Sequence, residues 1–495
     1  MLGFSYFYGM SKDEQIALLK NDYARLKLEY SQLKSELEQL KKLVFGTKRE
    51  RFVPQVVAGQ GSLFDVEETP QPEAKKETIT YERKKPTKKH PGRNAIPDHL
   101  PVEEVIIEPE EDTTGMQKIG EERTETLKYT PASLVKLVTI RPKYVHKAKG
   151  QDDRIVMASP PARPIPKGLA EASLIAYILV SKFVDHLPFY RQQKRFKRTF
   201  GWDVPDSTLN SWFAAVSELL KPLYEAMKKE LLIQHYIQAD ESPMKVLDAD
   251  KKGSTHRGYQ WVYYSPAKKL VLFNYRKGRG MHGPKEMLAN YEGFLQCDGY
   301  TVYDKIGQKP AITLVGCAAH VRRKFYEAKD SDVDRAAYAL SIFKQIYTHE
   351  RSWKDKTPEQ RKELRQKQVK PLLEELKTWV DDESLKVLPK SPIGKAMRYI
   401  LNQWPKLQNV LEDGRLEIDN NLIENKIRPL ALGRKNYLFA GSHKGAERIA
   451  MMYSFFGTCA AHDVNPYDWL KTVLEQIPTI PINQIHTLFP GNVKM

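Results

Sequence analysis

The chain has 495 residues, room for about three domains of roughly 150 residues with sizeable cores. Its 79 Lys and Arg against 62 Asp and Glu leave a formal charge of +17, which favours a polyanionic partner, nucleic acid or an anionic membrane. Only three cysteines occur (Cys297, Cys317, Cys459), none in a CxxC pair, which excludes a disulfide framework and a thiolate zinc site and suits a reducing cytosol.

The N-terminal "MLGFSYFYGM" lacks a basic start followed by an apolar stretch, so no secretory signal is expected and the location is expected to be cytoplasmic and nucleoid-associated. A heptad array follows, predicting a coiled coil over 11–45. Leu19, Leu26, Leu33 and Leu40 form one seam, and Ile16, Tyr23, Tyr30, Leu37 and Val44 form the other. Self-association through residues 16–44 is the expectation; one amphipathic helix packed on its own domain is the alternative, and the two seam tyrosines leave the oligomer number open. Over 46–100 apolar periodicity vanishes, and "RKKPTKKHPGR" (83–93) reads as a basic linker able to lie along phosphates.

Residues 101–165 predict a small β-rich module ("EEVIIE", "LVKLVTIRPKYVH") bounded by "SPPARPIP". From 166 to 231 the pattern is helical and contains the longest apolar run of the chain, "LIAYILV" (174–180), which is too short to span a bilayer, so no membrane is expected. Arg195, Lys197 and Arg198 precede a turn at Gly201 and a helix starting near Asp206. Leu209, Trp212, Phe213, Val216 and Leu220 make that helix's apolar stripe, with Asn210 on its outer face. A helix, a glycine turn and a second helix is how a helix-turn-helix presents polar side chains to a DNA groove, although many helical hairpins share the pattern.

From about 232 the spacing becomes β-like: "LIQHYIQAD" runs into Asp240, followed by "YQWVYYS" (259–265) and "KLVLFNY" (269–275). A helical stretch near 284–291 leads to "GFLQCD", which ends at Asp298, and to the strand "AITLVG" (311–316). Two aspartates at strand ends can meet if their strands are neighbours in a mixed sheet with right-handed crossovers. The helical patterns "DRAAYALSIFKQIYTHE", "QVKPLLEELKTWV" and "SPIGKAMRYILNQW" then read as an insertion over about 330–410, Ser391 capping the last with Pro392 in its first turn. Beyond it lies "EIDNNLIENKIRPLALGRKN" (417–436), where Glu424 stands among Lys426, Arg428, Arg434 and Lys435, with "DNN" suited to the cap of its helix.

Each acid has an ordinary explanation: Asp298 as an Asp-Gly turn, Asp240 as a cap, Glu424 as a partner of Arg428. Jointly, three converging carboxylates cannot stay ionised together without a cation, and an oxygen-loving ion such as Mg²⁺ is the natural filler. Two such ions about 3.5–4 Å apart activate the attacking oxygen and stabilise the leaving oxygen of a phosphodiester, while neighbouring cations hold the polyanion.

At this point the sequence resembles the transposases of insertion sequence 66. The resemblance is carried by "QADESPMKVL", "CDGY", "CAAHVRRKF", "GRLEIDNNLIENKIRPLALGRKNYLFAGS", "FGTKRERF", "HPGR", "VSKFVDHLPFYRQ" and "NPYDWLKTVLEQIP", and spans nearly the whole chain. It implies a multidomain α/β protein with all-α parts, whose ribonuclease-H-like core (232–450) carries an Asp-Asp-Glu triad and is followed by a C-terminal helical module (451–495). By this likeness Asp240, Asp298 and Glu424 would bind metal, with two Mg²⁺ expected and Mn²⁺ able to substitute. His320, Arg322, Arg323, Arg428, Arg434 and Lys435 would lie near the site against DNA. The implied activity is metal-dependent cleavage of element ends and strand transfer by the free 3′-OH; the partners are double-stranded DNA at ends and target, with room for accessory transposition proteins. The alternatives are a nuclease without strand transfer and an inactive DNA-binding repressor from a decayed element. One departure is plain: the zinc module usual after "HPGR" would need two Cys pairs, and here "EPEEDTTG" and "YVHKAKGQDD" contain none. His146 alone cannot make a four-ligand site, so a degenerate zinc-finger-like module without zinc is expected.

Overall fold

The β-branched and aromatic runs between 236 and 315 form one sheet, and the apolar stripes of the helices on either side of them in sequence cover it. The structure is a computed structural model in which residues 134–135, 137, 143–146, 154–157, 162–166, 168–247 and 254–493 are described. The heptad array, the basic linker and most of the 101–165 module lie outside the described residues. Of that module, β1 (Lys143–His146) and β2 (Arg154–Met157) pair antiparallel, with His146 opposite Arg154.

The sheet contains β3 (Tyr236–Leu247), β4 (Thr255–Ser265), β5 (Leu270–Arg276), β6 (Gly293–Gln296) and β7 (Ile312–Val315), in the order β5-β4-β3-β6-β7. β3, β4 and β5 are successive antiparallel neighbours, and β6 and β7 add in parallel on the other side of β3. The first strand is therefore central, and β3, which carries Asp240, is adjacent to β6, the strand that leads into Asp298, as the sequence predicts for a mixed sheet. One expectation is corrected. Asp240 does not end its strand: antiparallel pairing with β4 runs from Gln238 to Leu247, so β3 continues past it, whereas the parallel pairing with β6 stops at Gln238.

Helices α1 (Ala172–Phe183), α2 (Phe189–Phe200) and α3 (Asp206–Leu232) precede the sheet. Gly201 ends α2 with φ +64°, the left-handed turn that glycine takes without a Cβ penalty. Leu209, Trp212, Phe213, Val216 and Leu220 are all buried, as the stripe predicts. Short helices α4 (His282–Met287) and α5 (Thr301–Ile306) link β5, β6 and β7, and α6 (Ala318–Glu327) follows β7. Next come α7 (Val333–Ser352), α8 (Pro358–Leu364), a π-helical turn (Arg365–Val369), α9 (Lys370–Ser384) and α10 (Pro392–Leu407), which share a second apolar core with α6. Ser391 accepts the Gly394 N–H at 3.1 Å, the expected cap. The chain then returns through α11 (Asn421–Tyr437), α12 (His443–Ala461) and α13 (Pro466–Gln476) to the main core.

Both sheet edges are covered, which removes the open ladder that invites edge-to-edge pairing. On β5, Ser454 Oγ of α12 accepts the Phe273 N–H at 2.8 Å and Thr458 Oγ1 accepts the Val271 N–H at 3.0 Å. On β7, Asn409 donates to the Leu314 carbonyl at 2.9 Å.

Lys182 at the end of α1 sits among rings, its ammonium 3.9 Å from the Phe189 centroid and 5.6 Å from that of Tyr437 on α11. Burial pulls its pKa down to about 8, against an opposing pull from Asp206. A lysine whose folded pKa lies below its unfolded value costs stability fully below the folded pKa, and stability rises as pH climbs from about 8 toward 10.5. Lys182→Met is therefore expected to stabilise the fold by on the order of 2 kcal/mol at pH 7, with the gain shrinking toward pH 10. Urea unfolding of both proteins across that range checks it; a gain independent of pH would show that the charge is not the cause.

Candidate active site

In the parallel pair of β3 and β6, Gln238 lies directly opposite Gln296. Each glutamine is followed two residues on by an aspartate, in "QAD" and "QCD". Because side chains alternate with a period of two, Asp240 follows Gln238 on the same face of β3, and Asp298 follows Gln296 just beyond the end of β6. Asp240 Oδ1 accepts the Glu241 N–H at 2.7 Å, and Asp298 Oδ1 accepts the Tyr300 N–H at 2.9 Å.

The glutamines themselves are fully buried and form the floor of this region. Gln238 donates to Gln296 Oε1 at 2.8 Å and to the Tyr236 hydroxyl at 3.0 Å; the Tyr236 hydroxyl also donates to Gln296 Oε1. Gln296 donates in turn to the Glu417 carbonyl at 2.7 Å, and Gln238 Oε1 accepts the Ile423 N–H at 3.1 Å. Ile423 is in the first turn of α11 and Glu424 is the next residue. The same two side chains that precede the aspartates thus also hold the chain entering the helix that carries Glu424. At the head of that helix Asn420 is the N-cap residue without a side-chain bond, and Asp419 takes over by accepting the Asn421 N–H at 3.0 Å.

A buried network of this kind is costly to leave half-satisfied. Gln296→Leu keeps the volume and removes every bond at once, so a loss of about 2–3 kcal/mol is expected in urea unfolding. A variant as stable as the parent would mean that these bonds do not hold the two strands and α11 together.

Asp298 and Glu424 both act electrostatically on Asp240. Asp240 is pushed up to about 8, first by burial, then by Glu241, with Asp298 and Glu424 adding to the repulsion and the Glu241 N–H opposing it. Glu241 is raised by burial, although Arg279 and Tyr303 counter this. Glu424 Oε1 lies 3.8 Å from His320 Nε2 of α6. A carboxylate crowded by other acids is a setting that suits a hard cation. Among the described residues, however, no three His, Cys, Asp or Glu side chains are gathered closely enough to hold a metal ion as they stand.

The cations expected near this region divide into two kinds. Arg322 and Arg323 on α6 and Arg428 and Lys435 on α11 are exposed. Arg434 is half-buried and donates to the Pro243 carbonyl of β3, which ties α11 to the sheet. In the helical hairpin, Arg198 is exposed, Lys197 pairs with Asp203 at 2.7 Å, and Arg195 lies over the Tyr177 ring at 5.8 Å. The Asn210 side chain donates to the Asp206 carbonyl at 2.9 Å, one turn back in α3. Arg191 donates to Asn436 Oδ1 of α11 at 3.3 Å, so the hairpin is joined to the helix that carries Glu424.

Sequence reasoning missed Gln238, Gln296, Glu241, Arg279 and Tyr300. The repeated Gln-x-Asp was a signal for the first two, since equal spacing before both acids is what a shared register requires.

A family model described as "Transposase IS66 family" matches residues 167–448. One described as "Transposase C of IS166 homeodomain" matches 32–105, and "IS66 C-terminal element" matches 454–490. Among curated proteins, the chain is similar to the uncharacterized protein y4qI of Sinorhizobium fredii, 34% identical over 470 residues, covering 91% of this chain and 86% of that one. It is also similar to the uncharacterized protein y4jD of the same organism, 33% identical over 420 residues, covering 81% of each.

Proposed function

The chain belongs to the IS66 family of transposases, and from that premise we propose that it cleaves the ends of an insertion sequence and joins the freed 3′-OH to target DNA. The observation that carries this reading is the opposed Gln238 and Gln296, which support a site where Asp240, Asp298 and Glu424 act together. A sheet whose first strand is central, with antiparallel neighbours on one side and parallel ones on the other, supports the ribonuclease-H-like core that goes with such a triad.

Asp240, Asp298 and Glu424 would hold Mg²⁺, with Mn²⁺ as a substitute; the bound ions would supply charge for activating an attacking oxygen and stabilising a leaving one. Asp240 would give up its proton to do so, because its carboxyl is neutral over much of the physiological range without a counter-charge. His320 would orient Glu424, and the exposed Arg322, Arg323, Arg428 and Lys435 would bind backbone phosphates along α6 and α11. The chain's basic balance supports double-stranded DNA as partner. Among the described residues no helix is long and apolar enough to cross a membrane.

The test is to incubate the full chain with Mg²⁺, labelled duplexes carrying element ends, and a target plasmid. Nicked ends together with joined product are expected. Nicking without joined product would reduce the activity to that of a nuclease, and binding without nicking would leave a DNA-binding protein.

A further inference from the structure

The loop from β5 to α4 contains "KGRGM" (277–281), and its arginine is tied to the neighbours of both candidate aspartates. Arg279 Nε and Nη2 donate to the same Glu241 oxygen at 2.8 and 2.6 Å. Glu241 directly follows Asp240, and its side chain is only 3% exposed. Its other oxygen accepts the Tyr303 hydroxyl at 3.3 Å. The Arg279 guanidinium lies 4.1 Å over the ring of Tyr300, whose amide serves Asp298 and whose hydroxyl donates to the Arg279 carbonyl at 2.9 Å.

A buried carboxylate and an aromatic face therefore fix the plane of a guanidinium that is still 47% exposed. Part of the Arg279 guanidinium thus stays open to solvent although Glu241 already balances its charge. Among the described residues no hydrogen bond engages its Nη1 edge. The flanking glycines point the same way. A Cβ at Gly280 would meet nothing within 4 Å, and one at Gly278 only the Gly280 amide at 3.9 Å, so neither is required by packing inside the protein. Two glycines without a packing neighbour leave the backbone on either side of Arg279 open to close approach.

We propose that Arg279 is a phosphate-binding residue of this site, its Nη1 edge donating to a non-bridging oxygen of the DNA backbone beside the scissile bond, with Glu241 as the positioning residue that holds its plane. The proposal rests on the transposase reading above for its ligand. A planar fork held on one side and free on the other is suited to a phosphate, and a lysine could not be oriented in the same way.

The test pairs a protein change with a DNA change. Full-length wild type and Arg279→Gln are compared in single-turnover cleavage of element-end duplexes carrying one neutral methylphosphonate, moved position by position around the scissile bond. Arg279→Gln is expected to slow cleavage of unmodified ends by about 30-fold, with Arg279→Lys recovering part of it. At the contacted phosphate, neutralisation should slow the wild type by a similar factor and the variant hardly at all; at all other positions the two effects should multiply. Glu241→Gln should weaken the same coupling at the same phosphate, a pattern that general loosening of the fold would not produce. Multiplicative effects at every position would overturn the proposal and leave Arg279 as a structural counter-ion. Binding of the same duplexes, read by fluorescence anisotropy, gives the same comparison without chemistry. A wild type that binds but never cuts would therefore refute the transposase reading while still reporting on Arg279.

Discussion

Replacing Asp298 with asparagine is expected to lower Mg²⁺-dependent cleavage of element ends by about 1,000-fold or more, because removing one anionic donor forfeits several kcal/mol of transition-state stabilisation. The substitution is close to isosteric. The side-chain oxygen that accepts the Tyr300 N–H at 2.9 Å survives in the amide, so the turn after β6 keeps its bond. Asp298 also repels Asp240 and Glu241, and both of those carboxyls are raised by burial and by neighbouring negative charge. Loss of its charge should therefore leave the melting temperature unchanged or slightly higher. Activity falling while stability holds is the signature of a carboxylate retained for chemistry at some cost to the fold. End binding measured without metal should change little, since the proposed phosphate contacts come from the cations. Wild-type cleavage in this variant would remove Asp298 from the site.

Much of the sheet was legible in the sequence, since buried strands read as short apolar runs and the strands after Asp240 are of that kind. The limits of β3 were not. Nothing in "QADESPMKVL" marks that its parallel neighbour stops at Gln238 while its antiparallel neighbour continues to Leu247. That is a property of pairing between distant segments. The helix after Gly201 and the cap at Ser391 were readable because the signals are local. The bonds of Arg434, Lys197 and Asn210 were not, because a cationic or amide side chain in a helix looks the same whether it meets solvent, DNA or a nearby backbone. Glu241 and Arg279 were hidden for a related reason: an acid beside an acid, and an arginine in a glycine loop, take their meaning from a contact across 38 residues. The apolar spacing of α7 to α10 announced helices, while the polar residue that joins them to the segment leading into α11 left no pattern.

That residue is Arg365, and Arg365→Met is expected to destabilise the fold by about 3–5 kcal/mol, the loss typical of breaking a buried ion pair from one side. Arg365 is fully buried in the π-helical turn between α8 and α9. It meets Glu350 of α7 with two bonds, Nε to Oε1 at 2.6 Å and Nη2 to Oε2 at 2.8 Å. Its remaining donors reach the carbonyls of Val410 and Asp413, both at 3.1 Å, and of Leu416 at 2.8 Å. All five N–H groups are thus satisfied, and one side chain joins the inserted helices to the segment leading into α11. Methionine would fill the volume but strand Glu350, leaving it Arg361 at 3.3 Å. Adding Glu350→Leu should recover only part of the loss, because three backbone carbonyls still lack their donor. Arg365→Lys should fare poorly as well, since an ammonium cannot serve both a carboxylate fork and three separated carbonyls. Urea unfolding of the single and double variants checks the ordering, and a single variant within about 1 kcal/mol of the parent would refute it. The segment clasped by Arg365 runs on to Glu417, whose carbonyl is held by Gln296, and then to Glu424. If that clasp sets the entry of α11, end cleavage by Arg365→Met should fall at temperatures where circular dichroism still reports a folded protein, and parallel loss of the two signals would instead confine Arg365 to global stability.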